Sequence, residues 1–290
     1  MIPEKFRKRI NEDLVMIWGR QQYSWKSLNK GFVNSSLVAF NENNEPLMVC
    51  KFYPEDEIYI AEERRDRENS AYNFMANRNL MGLISPSSFT VPDDEYIAYF
   101  FVEGTELHLT EIDDEVKTFI ERTLKKLHDS RNQSKERNNP PLPKEVTEYY
   151  EMLLQRFSSS EHNYPQELLV EFEGLIKEQA CLLEKYSDHL TFVHGDLVPP
   201  NIIVDKSVEF PPGNREPVVF IDWEFYRPEL SFFDYVYFNY YAGVHKLPIY
   251  LEVEKEVEDF YVRLVDVLER LWRFGYEIKH KKPFKTDDSI

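Results

Sequence analysis

The chain has 290 residues, 52 of them acidic and 35 basic, for a formal net charge of −17 at pH 7. This surplus excludes nucleic acid as a first expectation, because phosphate backbones are bound by basic faces; it suits a cationic small molecule, or it serves solubility alone. With 42% hydrophobic and 30% charged residues, the composition is that of a folded chain with enough core for one large domain or two lobes.

No apolar run of about 18 residues occurs, so no membrane span is expected. The start, Met1-Ile2-Pro3-Glu4-Lys5, lacks the apolar core of a signal peptide. Cys50 and Cys181 lie far apart in apolar surroundings, and both are expected as small buried hydrophobes in a reducing compartment. A cytoplasmic location is the expectation.

The first part of the chain is strand-rich. Residues 27–40 and 47–53 are β-like runs joined by the polar turn 41–46. A helix is predicted over about 58–78, then strands over 85–91 and 96–102. After Gly104 the pattern turns helical, over 113–129, 143–157 and 165–186, with an exposed loop expected at 131–143. Three short apolar runs follow, 190–193, 202–204 and 218–221, before helices return at 232–241 and 250–274. A charged tail begins at Lys279. This order predicts an α+β, bilobal fold, with a small β-rich lobe over 1–103, a hinge near Glu103 and a larger helical lobe over 104–290. The site is expected in the cleft between them.

The strongest chemical signal is His194-Gly195-Asp196-Leu197-Val198-Pro199-Pro200-Asn201, flanked by two of the short apolar runs. Downstream comes Phe220-Ile221-Asp222-Trp223-Glu224, with an acid at the end of an apolar strand. Phosphoryl transfer needs a carboxylate to orient the acceptor hydroxyl, a second carboxylate to hold Mg²⁺ against the phosphates, and a neutral oxygen ligand. Asp196, Asp222 and Asn201 supply that set. There is no H-E-x-x-H pair and no G-x-S-x-G elbow, so metal-hydrolase and serine-hydrolase readings have no motif.

The two segments resemble the H-G-D-x-x-x-x-N loop and I-D-[WF]-E strand of the aminoglycoside phosphotransferase and choline kinase family, which has a protein-kinase-like fold. The resemblance implies that Asp196 is the catalytic base, Asn201 and Asp222 are Mg²⁺ ligands, and His194 supports the loop. It makes Lys51, in the apolar strand Met48-Val49-Cys50-Lys51-Phe52, the phosphate-contacting lysine. Glu62, Glu63 and Glu68 are candidates for its partner. Glu68 shares a helix face with Ala71, Tyr72 and Met75 and is the expected inward carboxylate.

Weaker elements complete the resemblance. Leu28 to Ser36 is similar to the family's phosphate-covering turn, with backbone amides around Gly31, Asn34 and Ser35. Phe101 and Val102 stand where a hinge would meet a purine. Asp234 is expected to brace the catalytic loop, with helix capping as its competing role. Glu224 is a candidate acceptor contact, and aromatic residues such as Tyr237 and Tyr241 are expected in the core. The implied activity is transfer of the γ-phosphate of ATP or GTP to a hydroxyl of an aminoglycoside, amino alcohol or sugar. A choline/ethanolamine-type kinase and a non-catalytic nucleotide-binding pseudokinase are the alternatives. The pattern does not choose among acceptors, and it leaves the oligomeric state open.

Overall fold

The computed structural model describes residues 8, 10, 12, 14–17, 19, 23–28, 35–89, 96–129, 142–205, 216–248 and 254–281. The chain divides into two compact units, one formed by Met1–Pro54 with Ser87–Val102, the other by Glu55–Pro86 with Glu103–Ile290.

The first unit is an antiparallel sheet in the order β1-β2-β3-β5-β4, from β1 (Ser24–Leu28), β2 (Ser35–Phe40), β3 (Pro46–Phe52), β4 (Ser88–Phe89) and β5 (Tyr96–Phe100). The β2–β3 connection is tied by one side chain. Asn41 Oδ1 accepts the backbone N–H of Asn43 and of Glu45 at 3.0 and 2.9 Å. Asn44 takes φ 60°, a conformation that asparagine tolerates better than most residues. Side chains alternate along β3. Met48 and Cys50 enter a core with Ile10, Leu14, Ala39, Tyr96 and Ala98, which turns Val49 and Lys51 to the other face.

The second unit is mainly helical: α1 (Ala61–Ala76), α2 (Asp114–Asp129), α3 (Pro143–Ser159), α4 (Gln166–Lys185), α5 (Phe232–Ala242) and α6 (Lys255–His280). Local chemistry starts these helices. Asp113 Oδ1 accepts the N–H of Val116 at 2.8 Å and caps α2. Pro143 opens α3, and Glu145 reaches back to the Leu142 N–H at 2.8 Å. The core of this unit is large, with Tyr150, Phe157, Phe172, Phe233, Phe260 and Tyr261 among its fully buried rings. Each such side chain stabilises the fold by about 1.5–3 kcal/mol.

Two small antiparallel sheets carry the loops of interest. One pairs β7 (Leu190–Val193) with β10 (Arg227–Leu230); the other has the order β6-β8-β9, from Thr105–Glu106, Ile202–Val204 and Val218–Phe220. Strand β10 escapes sequence detection because Arg-Pro-Glu-Leu reads as a polar turn. Its charges are nevertheless buried, Arg227 at 5% and Glu229 at 0% exposure. Glu229 accepts from Tyr150, Tyr261 and Gln179, and Arg227 donates to the Tyr150 hydroxyl.

One sequence expectation is corrected: Cys50 is buried but Cys181 is exposed. In α4 the inward face carries Gln179, Leu182 and Leu183, which leaves Cys181 outward despite its apolar neighbours. The expected loop at 131–143 lies almost wholly outside the described residues, as does the tail beyond Lys281.

Candidate active site

Strand β7 delivers His194, Gly195 and Asp196 into a turn that is held from several sides. Asp234, in the first turn of α5, accepts the backbone N–H of His194 at 2.9 Å and of Gly195 at 3.0 Å. His128 approaches the same carboxylate at 3.2 Å. Burial pushes the Asp234 carboxyl up. The hydrogen bonds from His128 and from the Gly195 amide outweigh it, so the group is held below the usual carboxylate range. The His194 ring bonds on both edges: Nε2 donates to the Ile221 carbonyl at 2.8 Å, and Nδ1 accepts the Asp196 N–H at 3.3 Å. It also packs on Trp223, with ring centroids 4.5 Å apart. Gly195 has φ 85°, and a Cβ there would lie 2.1 Å from the Phe225 carbonyl oxygen, so glycine is required.

The Asp196 carboxylate is bound at both oxygens. Asn201 Nδ2 donates to Oδ2 at 2.9 Å and to the Asp196 carbonyl at 2.8 Å. The Tyr237 hydroxyl donates to Oδ1 at 3.0 Å. Burial and the neighbouring carboxylates Asp222 and Glu224 push the Asp196 carboxyl up to about 7, against these two hydrogen bonds. With its NH₂ engaged on Asp196, the side-chain carbonyl oxygen of Asn201 is the atom left to serve as a metal ligand.

Asp222 follows β9 at φ 65°, a left-handed conformation uncommon for a side-chain-bearing residue but within reach of aspartate. The turn is anchored on each side: the Ile221 N–H donates to the Asn201 carbonyl at 2.9 Å, and Trp223 Nε1 donates to the Phe220 carbonyl at 2.9 Å. Trp223 itself is fully buried. Loop and strand thus share one frame, and Asn201 and Asp222 are tied through adjacent main chain.

These residues fit a divalent cation. The set is an amide oxygen with a carboxylate, hard donors suited to Mg²⁺, whose remaining positions are taken by phosphate oxygens and water in such sites. Asp222 and Glu224 add to the rise of the Asp196 carboxyl, a repulsion that a cation would relieve. Among the described residues no three His, Cys, Asp or Glu side chains converge as a metal centre. The fit therefore rests on the mixed amide–carboxylate pair.

Glu224 is buried, and its carboxylate is 3.4 Å from Arg64 of α1, itself fully buried. Arg67 Nε donates to the Glu224 carbonyl at 2.9 Å. On the same helix Glu68 is fully buried, with the Tyr72 hydroxyl at 3.5 Å. Of its rivals, Glu62 is exposed and Glu63 pairs with Arg156 and Arg67. Lys51 is buried on β3, its Nζ 5.0 Å from the Tyr53 ring centroid. Lys51, Phe101 and Val102 belong to the first unit, and Glu68, Asp196, Asn201 and Asp222 to the second. Gly31 and Asn34 lie outside the described residues, as does the side chain of Ser35.

The family model for choline/ethanolamine kinases matches residues 28–261, a span that contains the whole loop-and-strand assembly. The chain belongs to that family. No curated protein matches it by sequence. Among solved structures, choline kinase LicA from Streptococcus pneumoniae aligns with TM-score 0.64 and 18% identity, over 97% of this chain and 94% of that one. An ethanolamine kinase from Plasmodium vivax aligns with TM-score 0.57 and 17% identity, over 93% and 80%. The GDP and kanamycin complex of the aminoglycoside phosphotransferase APH(2")-IIia aligns with TM-score 0.58 and 14% identity, over 94% and 92%. The fold is protein-kinase-like, and this member of the choline/ethanolamine kinase family is a small-molecule kinase, a phosphotransferase with a hydroxyl acceptor.

Two residues of this assembly escape a reading of the sequence. Tyr237 packs against the core as expected, and its hydroxyl also reaches Asp196; its place three residues after Asp234 on α5 is the available signal. Arg227 donates to the carbonyls of Gly195 and Phe225 at 3.3 and 3.1 Å and lies over the Phe233 ring at 4.5 Å. No motif marks it.

Proposed function

We propose that this kinase transfers the γ-phosphoryl group of a nucleoside triphosphate to the hydroxyl of a small cationic amino alcohol, choline or ethanolamine. The observation that carries this reading is the match to the choline/ethanolamine kinase family over residues 28–261, which includes the Asp196–Asn201–Asp222 assembly. The surroundings of Asp196 support a cationic head group. Negative charge comes from Asp222 and Glu224, and half-buried aromatic rings lie close by. Tyr59 and Phe225 meet edge to face at 5.4 Å, and the Asp196 charge contributes, after burial and nearer groups, to raising the Tyr59 hydroxyl. Aromatic faces beside carboxylates attract ammonium groups.

In this reading Asp196 orients the acceptor hydroxyl and takes its proton as the oxygen–phosphorus bond forms and the bond to the β-phosphate oxygen breaks. Asn201 and Asp222 would hold Mg²⁺, which when bound neutralises phosphate charge. Lys51, partnered by Glu68, would contact the phosphates. Main chain around Gly31, Asn34 and Ser35 would cover them, and Phe101 and Val102 would meet the base. Neighbouring folds crystallised with GDP, ADP and ATP support a nucleotide donor.

The test is nucleoside diphosphate release from ATP and from GTP with Mg²⁺, in the presence of choline, ethanolamine, aminoglycosides or simple sugars. Stimulation by the amino alcohols is expected. Stimulation by aminoglycosides or sugars alone would move the acceptor, and measurable nucleotide binding without any stimulated release would favour the pseudokinase.

A further inference from the structure

We propose that Tyr237 is a positioning residue for the transfer step, fixing the direction in which the Asp196 carboxylate faces its substrate. The inference rests on Asp196 being the base. It starts from the two-sided grip on that carboxylate: Asn201 holds Oδ2 from within the catalytic loop, and Tyr237 holds Oδ1 from α5, at 2.9 and 3.0 Å. A carboxylate held at one oxygen still turns about its Cβ–Cγ bond. Held at both, it offers its remaining lone pairs in one direction, which is what a near-attack geometry demands of a base.

Helix α5 serves the loop twice, one turn apart. Asp234 grips the main chain of His194 and Gly195, and Tyr237, three residues on, grips the side chain of Asp196. The phenol is itself immobilised. Its ring stacks on Phe233 at 5.4 Å and meets Tyr241 at 5.3 Å. The Tyr241 hydroxyl donates to Glu269 of α6, and Arg273 Nε holds the other oxygen of that carboxylate at 2.6 Å. The ladder Arg273–Glu269–Tyr241 fixes the ring from the far side, so the hydroxyl stays aimed at the base. Tyr240, on the same helix, bonds instead to Asp266 at 3.3 Å and provides an internal control.

The experiment compares wild type, Tyr237→Phe, Tyr240→Phe and Asp196→Asn by steady-state kinetics with the best acceptor, alongside thermal unfolding. Tyr237→Phe keeps the stacked ring and removes one hydrogen bond to a charged group, so kcat should fall about ten- to a hundredfold with the nucleotide KM within about twofold. Tyr240→Phe should leave both constants unchanged. A kcat for Tyr237→Phe within about twofold of wild type would overturn the proposal, as would a loss shared equally by Tyr240→Phe or accompanied by a collapse of the unfolding midpoint. Full activity in Asp196→Asn would instead sink the assignment of the base, which keeps the two failures apart.

Discussion

Asp234 and His194 are joined by a 2.9 Å hydrogen bond from the His194 main-chain N–H to Oδ2, deep in the second unit and forty residues apart in sequence. With the matching Gly195 bond at 3.0 Å, this carboxylate satisfies two buried amides that no strand or helix could pair. Replacing Asp234 with alanine leaves both orphaned and should cost about 2–4 kcal/mol, besides loosening the loop that carries Asp196. The pH dependence follows from its depressed carboxyl. The stabilisation is complete above the unfolded carboxylate value near 4 and is lost as pH falls through the lower folded value. The stability gap between wild type and Asp234→Asn is therefore widest near neutrality and closes in acid. Chemical denaturation at a series of pH values checks this, and a gap that grows on acidification would contradict it.

Glu224 and Arg64 make a buried ion pair at 3.4 Å. Arg64→Ala removes the opposite charge from a buried carboxylate and should destabilise the protein by about 3–5 kcal/mol, whereas replacing both residues with methionine should recover much of that loss. The pair also decides how to read Glu224, which the sequence offers as an acceptor contact. Loss of stability in Glu224→Gln with an unchanged acceptor KM would make it a structural partner of α1. The reverse pattern, a raised acceptor KM in a fully stable variant, would place it against the substrate.

Asp222 sits at φ 65°, a conformation that asparagine shares readily. Asp222→Asn therefore keeps the turn while removing the one formal negative charge of the amide–carboxylate pair offered to a divalent cation. Turnover should fall by at least about a hundredfold, with the unfolding midpoint little changed. Near-normal turnover would remove Asp222 from the metal site.

Glu68 is fully buried on α1. If it orients Lys51 toward phosphate, Glu68→Gln should raise the nucleotide KM and lower kcat in a folded protein. Unchanged values for both would take it out of the site.

Much of this architecture is legible in the sequence. Segments such as 190–193 and 202–204 coincide with β7 and β8, because short apolar runs bounded by turn residues have few alternatives. The loop at His194–Asn201 is readable because its chemistry demands a fixed spacing. What escaped is what depends on long-range contact. Strand β10 looks polar because its buried Glu229 is satisfied by hydrogen bonds from Tyr150, Tyr261 and Gln179, on three separate helices. Arg64 sits in the charged run Glu62-Glu63-Arg64-Arg65, where nothing local reveals that it alone is fully buried. Tyr237 resembles any helical aromatic until Asp196 is folded against it.

The most direct measurement follows the phosphorus itself. ³¹P NMR of ATP or GTP with Mg²⁺ and either choline or ethanolamine should show a phosphomonoester signal growing as the γ-phosphate signal disappears, and Asp196→Asn should abolish it. Formation of the same phosphomonoester by Asp196→Asn, or release of only inorganic phosphate whatever the acceptor, would contradict the account.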